Sequence, residues 1–362
     1  MTPYDDLPQS SFWRPAVADR APLQIEELWT PKFRIDPADR IVTAGSCFAQ
    51  HIGRALAARG YRWLDAEPAP GRLPEALHGQ FHYGTFSFRT GNIYTTNMLA
   101  QWLGWAFGDT PSPEELWEKD GHFFDPFRPA VEPGGFVSSA EALASRAATL
   151  AAIRRAVTGA DVFVFTLGLT ESWQHSRSGV EYAICPGTLA GKFRPRFHRF
   201  VNQGYDVVLA RMRDALALMR AANPKLRVLL TVSPVPLTAT ASGAHVLTAT
   251  SYSKSVLRAV AGTLAEEDPG VDYFPSYEII TGTPFRSMFY AGNLRSVLPE
   301  GVGFVMDSFF ADQARVFGAP AEVAPADPPE TRAERQARED TEPDDVEADV
   351  QCEEELLGAF AK

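Results

Sequence analysis

Cysteine is scarce in this chain of 362 residues, which has only Cys47, Cys185 and Cys352. The three are scattered rather than set at ligand or bridge spacing, so neither a disulfide framework nor a structural zinc site is expected, and no metal or cofactor is implied. An excess of positive charge is also missing. The chain carries 34 Lys and Arg against 45 Asp and Glu, a formal charge of -11, which excludes the basic footprint of a nucleic-acid binder. No run approaches the ~18 uninterrupted apolar residues of a membrane span. The first residues hold Pro3, Asp5 and Asp6 where a leader would be basic and apolar, so no signal peptide is read and a cytoplasmic protein is expected. Thr166 to Trp173 lacks the glycine spacing and the lysine of a phosphate-binding loop. Nothing in the composition fixes the oligomeric state.

The chain does contain enough apolar material for a sizeable core: 45% of residues are hydrophobic and 11% aromatic. Its acidity is local. Ala321 to Lys362 holds 14 Asp and Glu against 4 Lys and Arg, which leaves the body nearly neutral. Residues 319–362 therefore read as an acidic disordered tail. Glu355-Leu356-Leu357-Gly358-Ala359-Phe360 is either a solvated end or a short docking helix, and the solvated end is the expectation. Residues 1–39, rich in proline and charge, read as an irregular N-terminal arm. Residues 40–318 form the folded domain. Within it, continuous apolar runs at Ile41–Ala44, Asp161–Leu167, Leu226–Val232 and Val271–Phe274 alternate with helical periodicity at 47–59, 140–157, 205–222, 251–267 and 302–317. This pattern predicts an α/β fold with a parallel sheet covered on both faces. Two loop-rich insertions, 61–136 and 172–200, interrupt it. The first is aromatic; Tyr83, Tyr94, Trp102 and Trp105 suit either sugar stacking or the core, and the core is the commoner fate.

Chemistry is expected where strands end, because open parallel sheets bind ligands beyond their carboxyl edge. The four ends carry Gly45-Ser46, Gly168-Leu169-Thr170-Glu171, Ser233-Pro234-Val235-Pro236 and Ser276-Tyr277-Glu278. Ser46 follows a turn glycine and precedes a helix, a position that suits a nucleophile with amides nearby to hold an oxyanion. It equally suits a helix N-cap. Cys47 beside it reads either as a thiol activated by the helix start or as a small buried residue.

Gly45-Ser46-Cys47-Phe48-Ala49 resembles the signature of the GSCFA family, a branch of the SGNH/GDSL-like hydrolases. Further segments resemble the same family: Gly91-Asn92-Ile93-Tyr94-Thr95, Asp125-Pro126-Phe127-Arg128-Pro129, Thr166 to Trp173, Cys185-Pro186-Gly187-Thr188, Ser233 to Leu237, Ser253-Lys254-Ser255 and Tyr273 to Glu278. The resemblance implies a three-layer α/β/α, flavodoxin-like fold and ester chemistry without a cofactor. It casts Ser46 as nucleophile, with its own amide and the Gly91-Asn92 amides as oxyanion donors. Gly168 falls at the Gly-x-Asn-Asp block, where this chain has Thr170-Glu171, so Thr170 is the third donor. The place of Asp-x-x-His reads Asn293-Leu294-Arg295-Ser296. Of seven histidines, His245 is the leading candidate base, after the Ser233–Pro236 strand end. His51 is expected to point away from Ser46, and His82 to fold over the site from the aromatic insertion. Glu171 or Glu278 would orient a histidine or make a structural salt bridge. Arg295 would take a carboxylate or phosphate on the substrate or pair with a structural acid. The expected function is an SGNH-like serine hydrolase or O-acyltransferase on a small-molecule or glycan ester. The alternative is a non-catalytic glycan- or metabolite-binding protein on a degenerate site.

Overall fold

The computed structural model describes residues 2–108, 110–320 and 352–361. Most of the acidic tail, 321–351, lies outside the described residues, so the expectation of disorder there is not addressed. In chain order the elements are β1 (Ile41–Gly45), α1 (Phe48–Ala58), α2 (Thr96–Phe107), β2 (Trp117–Lys119), β3 (His122–Phe124), α3 (Ser139–Gly159), β4 (Val162–Leu167), β5 (Glu171–His175), β6 (Glu181–Tyr182), β7 (His198–Asn202), α4 (Tyr205–Ala222), β8 (Arg227–Val232), α5 (Val246–Glu267), β9 (Val271–Tyr273), α6 (Ser276–Thr281) and α7 (Pro299–Phe317).

Four strands form one parallel sheet in the order β1-β4-β8-β9. Because side chains alternate along a strand, each strand feeds two cores. Val42, Phe163, Phe165, Val228 and Leu230 face one layer with residues of α2, α3, α4 and α5. Ile41, Val162, Val164 and Leu229 face the other, with residues of α1, α6 and α7. The result is the three-layer α/β/α sandwich that the continuous apolar strands predict. The N-terminal arm belongs to the second layer: Ile25, Trp29 and Ile35 are buried there, and the Trp29 amide donates to Asp312 on α7 at 3.0 Å.

Beyond β1 the sheet is extended by a single parallel bridge, Ile41 to Trp63. The chain thus leaves β1 toward one side and returns to β4 on the other. Such a reversal opens a crevice at the carboxyl ends of the two strands involved. Here those ends are Gly45-Ser46 and Leu167-Gly168.

Three elements differ from the sequence reading. The stretch 61–136, read as loop, contains α2: Thr95 caps it by accepting from the Met98 amide at 3.0 Å, and Met98, Leu99, Trp102 and Leu103 are buried. The insertion 172–200 folds into a small antiparallel sheet ordered β6-β5-β7. Glu355–Phe360, read as a solvated end, belongs to a 3-10 helix, Glu353–Phe360, whose Glu353 and Glu354 are buried. Its carboxylates find donors on the body, and that is the reason it docks. No helix among the described residues is long and apolar enough to cross a membrane.

A buried ion cluster fastens the first insertion. Asp125 accepts from Arg128 at 2.9 Å and from Arg146 at 2.9 Å. All three side chains are essentially inaccessible to solvent. Arg128 also donates to the Arg89 carbonyl at 3.0 Å and to Thr149 on α3. It therefore anchors the backbone two residues before Gly91. Burial alone would raise the Asp125 pKa, but the two guanidiniums more than offset it and hold it below the ordinary carboxylate value. The prediction follows from the charge balance. Asp125→Asn leaves two buried cations uncompensated and is expected to cost about 3–5 kcal/mol, read by urea unfolding at neutral pH. The Asp125 contribution is full above the unfolded pKa near 3.9 and is lost as pH falls through the lower folded value. The gap between wild type and variant should therefore narrow in acid.

Candidate functional site

The site is built at the crossing of β1, β4 and the loop 91–95. Gly45 has φ +133°, and a Cβ there would drive into the Thr166 backbone, with Thr166 N only 2.7 Å away. Only glycine allows this approach. The loop then docks on both strand ends: the Ile93 amide donates to Gly45 O at 2.8 Å, and the Gly168 amide donates to Tyr94 O at 3.0 Å. Gly168 is tight too, though less so than Gly45. A Cβ on it would sit 3.0 Å from Ser46 Cβ and 3.1 Å from the Tyr94 ring. Ser46, Gly168 and Tyr94 thus meet at one point.

Ser46 directly follows β1 at the carboxyl edge of the sheet and is 2% exposed. It is not a helix cap; the residue before α1 is Cys47, which makes no side-chain capping bond. Among the described residues Ser46 Oγ has no hydrogen-bond partner. Its amide donates to Thr166 O at 3.0 Å, because the β1–β4 ladder runs one residue past Gly45. The expected oxyanion role of that amide is thereby corrected. Thr170 is corrected for the same kind of reason: its hydroxyl donates to Asn202 at 2.7 Å and its amide to Ser253 at 3.0 Å. Gly168 has its amide on Tyr94 and its carbonyl on Lys254, so it supplies no free donor.

The donors that do converge belong to Asn92 and Tyr94. Asn92 N–H and Nδ2 both donate to the Glu353 carboxylate, the backbone bond at 3.4 Å, and Tyr94 OH donates to it at 3.4 Å. Gly91 makes the clasp possible, since at φ +66° a Cβ would lie 2.6 Å from Glu353 Oε1. The clasp is an anion site, and the chain's own C-terminal segment fills it. Beside it Cys352 reaches Cys47. A thiol–thiol hydrogen bond and burial hold the Cys47 pKa well above its ordinary value, so Cys47 is not an activated thiolate. Glu354 accepts from the Thr238 amide at 2.8 Å, and Arg295 pairs with Glu355 at 3.0 Å and Glu354 at 3.7 Å. Arg295 does bind carboxylates, as read, but they belong to the tail. Asn293 makes the turn that presents it, accepting from the amides of Arg295 and Ser296 at 2.9 Å.

His245 caps α5 at the exposed rim, its Nδ1 accepting from the Leu247 amide at 3.2 Å, and it makes no hydrogen bond to Ser46. Glu171 accepts from Thr240 at 2.6 Å, and burial raises its pKa. Glu278 is held by Arg258 and, at 2.7 Å, by Tyr273 OH. Neither carboxylate has an imidazole partner in these bonds. His82 approaches the clasp: it is buried, with Nδ1 3.9 Å from the Cβ position of Gly91. The residue that sequence reasoning missed is Lys254. It is 1% exposed, and its Nζ donates to Gly168 O at 2.7 Å. Ser253-Lys254-Ser255 stood out only as a family segment; a lysine on the apolar face of a helix is the signal that was available. Burial, with Arg295 nearby, lowers its pKa to about 8, while Glu354 opposes the shift. No cluster of three or more His, Cys, Asp or Glu that could hold a metal ion occurs among the described residues.

A parallel α/β sandwich with a buried serine and an anion clasp at its switch point defines the class. Residues 40–309 match the GSCFA family, and the chain belongs to it. No curated protein and no solved structure matches the chain.

Lys254 generates a pH prediction. Folded, it releases its proton near pH 8; unfolded, near 10.4. Between those values the unfolded chain binds more protons, so stability rises with pH. Wild type is expected to gain on Lys254→Met by up to about 3 kcal/mol between pH 8 and 10.5, measured by chemical unfolding at each pH. Parallel curves would show that the amine is not strained by burial.

Proposed function

We propose that the protein is a serine-dependent acyl-ester hydrolase or O-acyltransferase acting on a small-molecule or glycan ester. The observation that carries this reading is the buried Ser46 hydroxyl with no partner, together with the Asn92 clasp, which holds a carboxylate on the loop docked against the end of the strand that precedes Ser46. A carboxylate is the product of ester hydrolysis, and its oxygens mark where an ester carbonyl oxygen would lie. In the reaction Ser46 Oγ attacks the acyl carbon, and the carbonyl oxygen takes the negative charge against Asn92 N–H and Nδ2. The base removes the serine proton and delivers it to the departing alkoxide as its bond to carbon breaks. Water or a sugar hydroxyl then attacks the acyl-serine and releases Ser46.

Lys254 is the base favoured by the geometry. It is bonded to the Gly168 carbonyl, and Gly168 packs against Ser46; an amine of pKa about 8 is about one-tenth neutral at pH 7, and that fraction can accept the serine proton. His245 is the second candidate only if the rim folds inward. α5 carries the two residues nine positions apart, about 13 Å along the axis. His82 is the third.

The alternative, a non-catalytic binder on the same scaffold, is favoured by one observation: no basic group is hydrogen-bonded to Ser46 Oγ.

A fluorophosphonate probe separates the two. Labelling lost in Ser46→Ala is the expected result, and failure of the folded wild-type chain to label leaves the binder. On a nitrophenyl ester, Lys254→Ala is expected to lower kcat by about 10²–10⁴, and His245→Ala by less than about threefold. The reverse ranking would assign the base to His245.

A further inference from the structure

The clasp adjoins an apolar cavity through Tyr94 and the C-terminal helix. Behind Tyr94 and Leu169 lies an apolar chamber of about 280 Å³, walled by Met98, Trp173, Ile184 and Phe200. Leu357 and Phe360, from the same 3-10 helix that carries Glu353, complete its wall. Tyr94 belongs to both places. Its ring borders Gly168 and Ser46 on one side and the chamber on the other. The tail segment therefore presents a carboxylate to the Asn92 clasp and apolar groups to the chamber, in one continuous piece. That is the layout of a carboxylic acid with an aliphatic chain.

We propose that the chamber is the acyl-chain subsite of the Ser46 centre, that it takes an unbranched, medium-length aliphatic acyl chain along the wall that Leu357 and Phe360 complete, and that Glu353 is the internal stand-in for the acyl carboxyl group. The inference rests on the reading of Ser46 as an acyl-transfer centre and names the acyl group that reading left open. Size sets the length. At about 30 Å³ for a group the size of water, the space takes roughly nine methylene-sized groups, a chain of about eight to ten carbons. Chemistry sets the class. The wall is mostly aliphatic and aromatic, and its three acidic members are already engaged: Glu181 accepts from Asn97 at 2.8 Å and Gln203 at 2.9 Å, Glu171 from Thr240, and Glu354 from the Thr238 amide. A sugar ring would find few open polar partners there. The glycan, where there is one, is the alcohol side of the ester and lies outside the chamber.

The same geometry says why the tail has to yield. Glu353 and a substrate carbonyl compete for the same two Asn92 donors. Glu353→Gln keeps the shape but offers one acceptor oxygen where Asn92 and Tyr94 bring three donors, so the variant weakens the internal occupant.

The test is direct binding of acetate, hexanoate, octanoate, decanoate and tetradecanoate to the full-length Ser46→Ala chain by calorimetry. The serine is absent, so the result does not depend on catalysis. Affinity is expected to rise about threefold to fourfold per methylene up to about ten carbons and then to level. In the Ser46→Ala/Glu353→Gln chain decanoate is expected to bind at least fivefold more tightly than in Ser46→Ala alone. Equal affinity for acetate and decanoate in both chains overturns the subsite. A length series that holds while Glu353→Gln changes nothing overturns the stand-in role of the tail. If the length series holds and the wild-type chain does not react with fluorophosphonate, the catalytic reading fails and the chamber stands as an aliphatic-acid binding site. If the wild-type chain reacts and the series is flat, the catalytic reading stands and this inference fails.

Discussion

The absence of a side chain at Gly45 is the constraint on which the site depends. It lets the end of β1 press against the Thr166 backbone, and the ladder then runs on through the Ser46 amide. Ser46 is held by the sheet itself and not by a flexible turn. The carbonyl of Gly45, left facing away from β4, receives the Ile93 amide, and that bond fixes the loop that carries Gly91, Asn92 and Tyr94. A larger residue at 45 would part the two strands, release the loop and disperse the clasp. The buried Asp125 cluster secures the same loop from its other side through Arg89. Two distant pieces of sequence therefore determine where one carboxylate can sit.

Charge explains why an acidic tail ends on a nearly neutral body. Glu354 is buried against Arg295 and Lys254; burial raises its pKa while the two cations pull it down. Burying one charge alone is costly, and a surface pair returns little. Here Lys254 is already buried by its place on α5, so the tail adds a partner to a cation that exists without it. Three consecutive glutamates divide the work: Glu353 takes the neutral donors of Asn92, Glu354 lies toward Lys254, and Glu355 pairs with Arg295 at the surface. The apolar residues that follow, Leu357 and Phe360, meet the chamber.

The scaffold was legible because it rests on strong periodic signals. The strand 162–167 is apolar at nearly every position and is buried throughout, and the helix 205–222 has the bounds that its pattern predicts. α2 escaped because its aromatic residues and the turn residues around it resemble a loop more than an amphipathic stripe. The site was legible in part. Ser46, Gly91, Asn92, Gly168 and Arg295 do gather around one crevice, since strand ends must converge at a switch point. What no local pattern reveals is which donors are already spent. Thr170 and the Ser46 amide look available until Asn202 and Thr166 O are placed opposite them. Nor does composition say that residues 352–361 return to the strand ends, because their partners lie about 60 to 260 positions earlier in the chain.

The Asn293–Ser296 turn draws these threads together. In the resemblance that motivates a serine mechanism, this position carries an acid and a base; here Asn293 only shapes the turn and Arg295 projects a fixed cation. A guanidinium does not accept a proton at neutral pH, but it changes the base beside it. Arg295 disfavours the ammonium form of Lys254, and Glu354 favours it. The tail thus sets a carboxylate and the turn a guanidinium of opposite effect on the same buried amine. In the acyl-transfer reading the clasp and the base are coupled through the tail, because the carboxylate that fills the oxyanion site and the one that favours the lysine proton are adjacent residues of the same short helix.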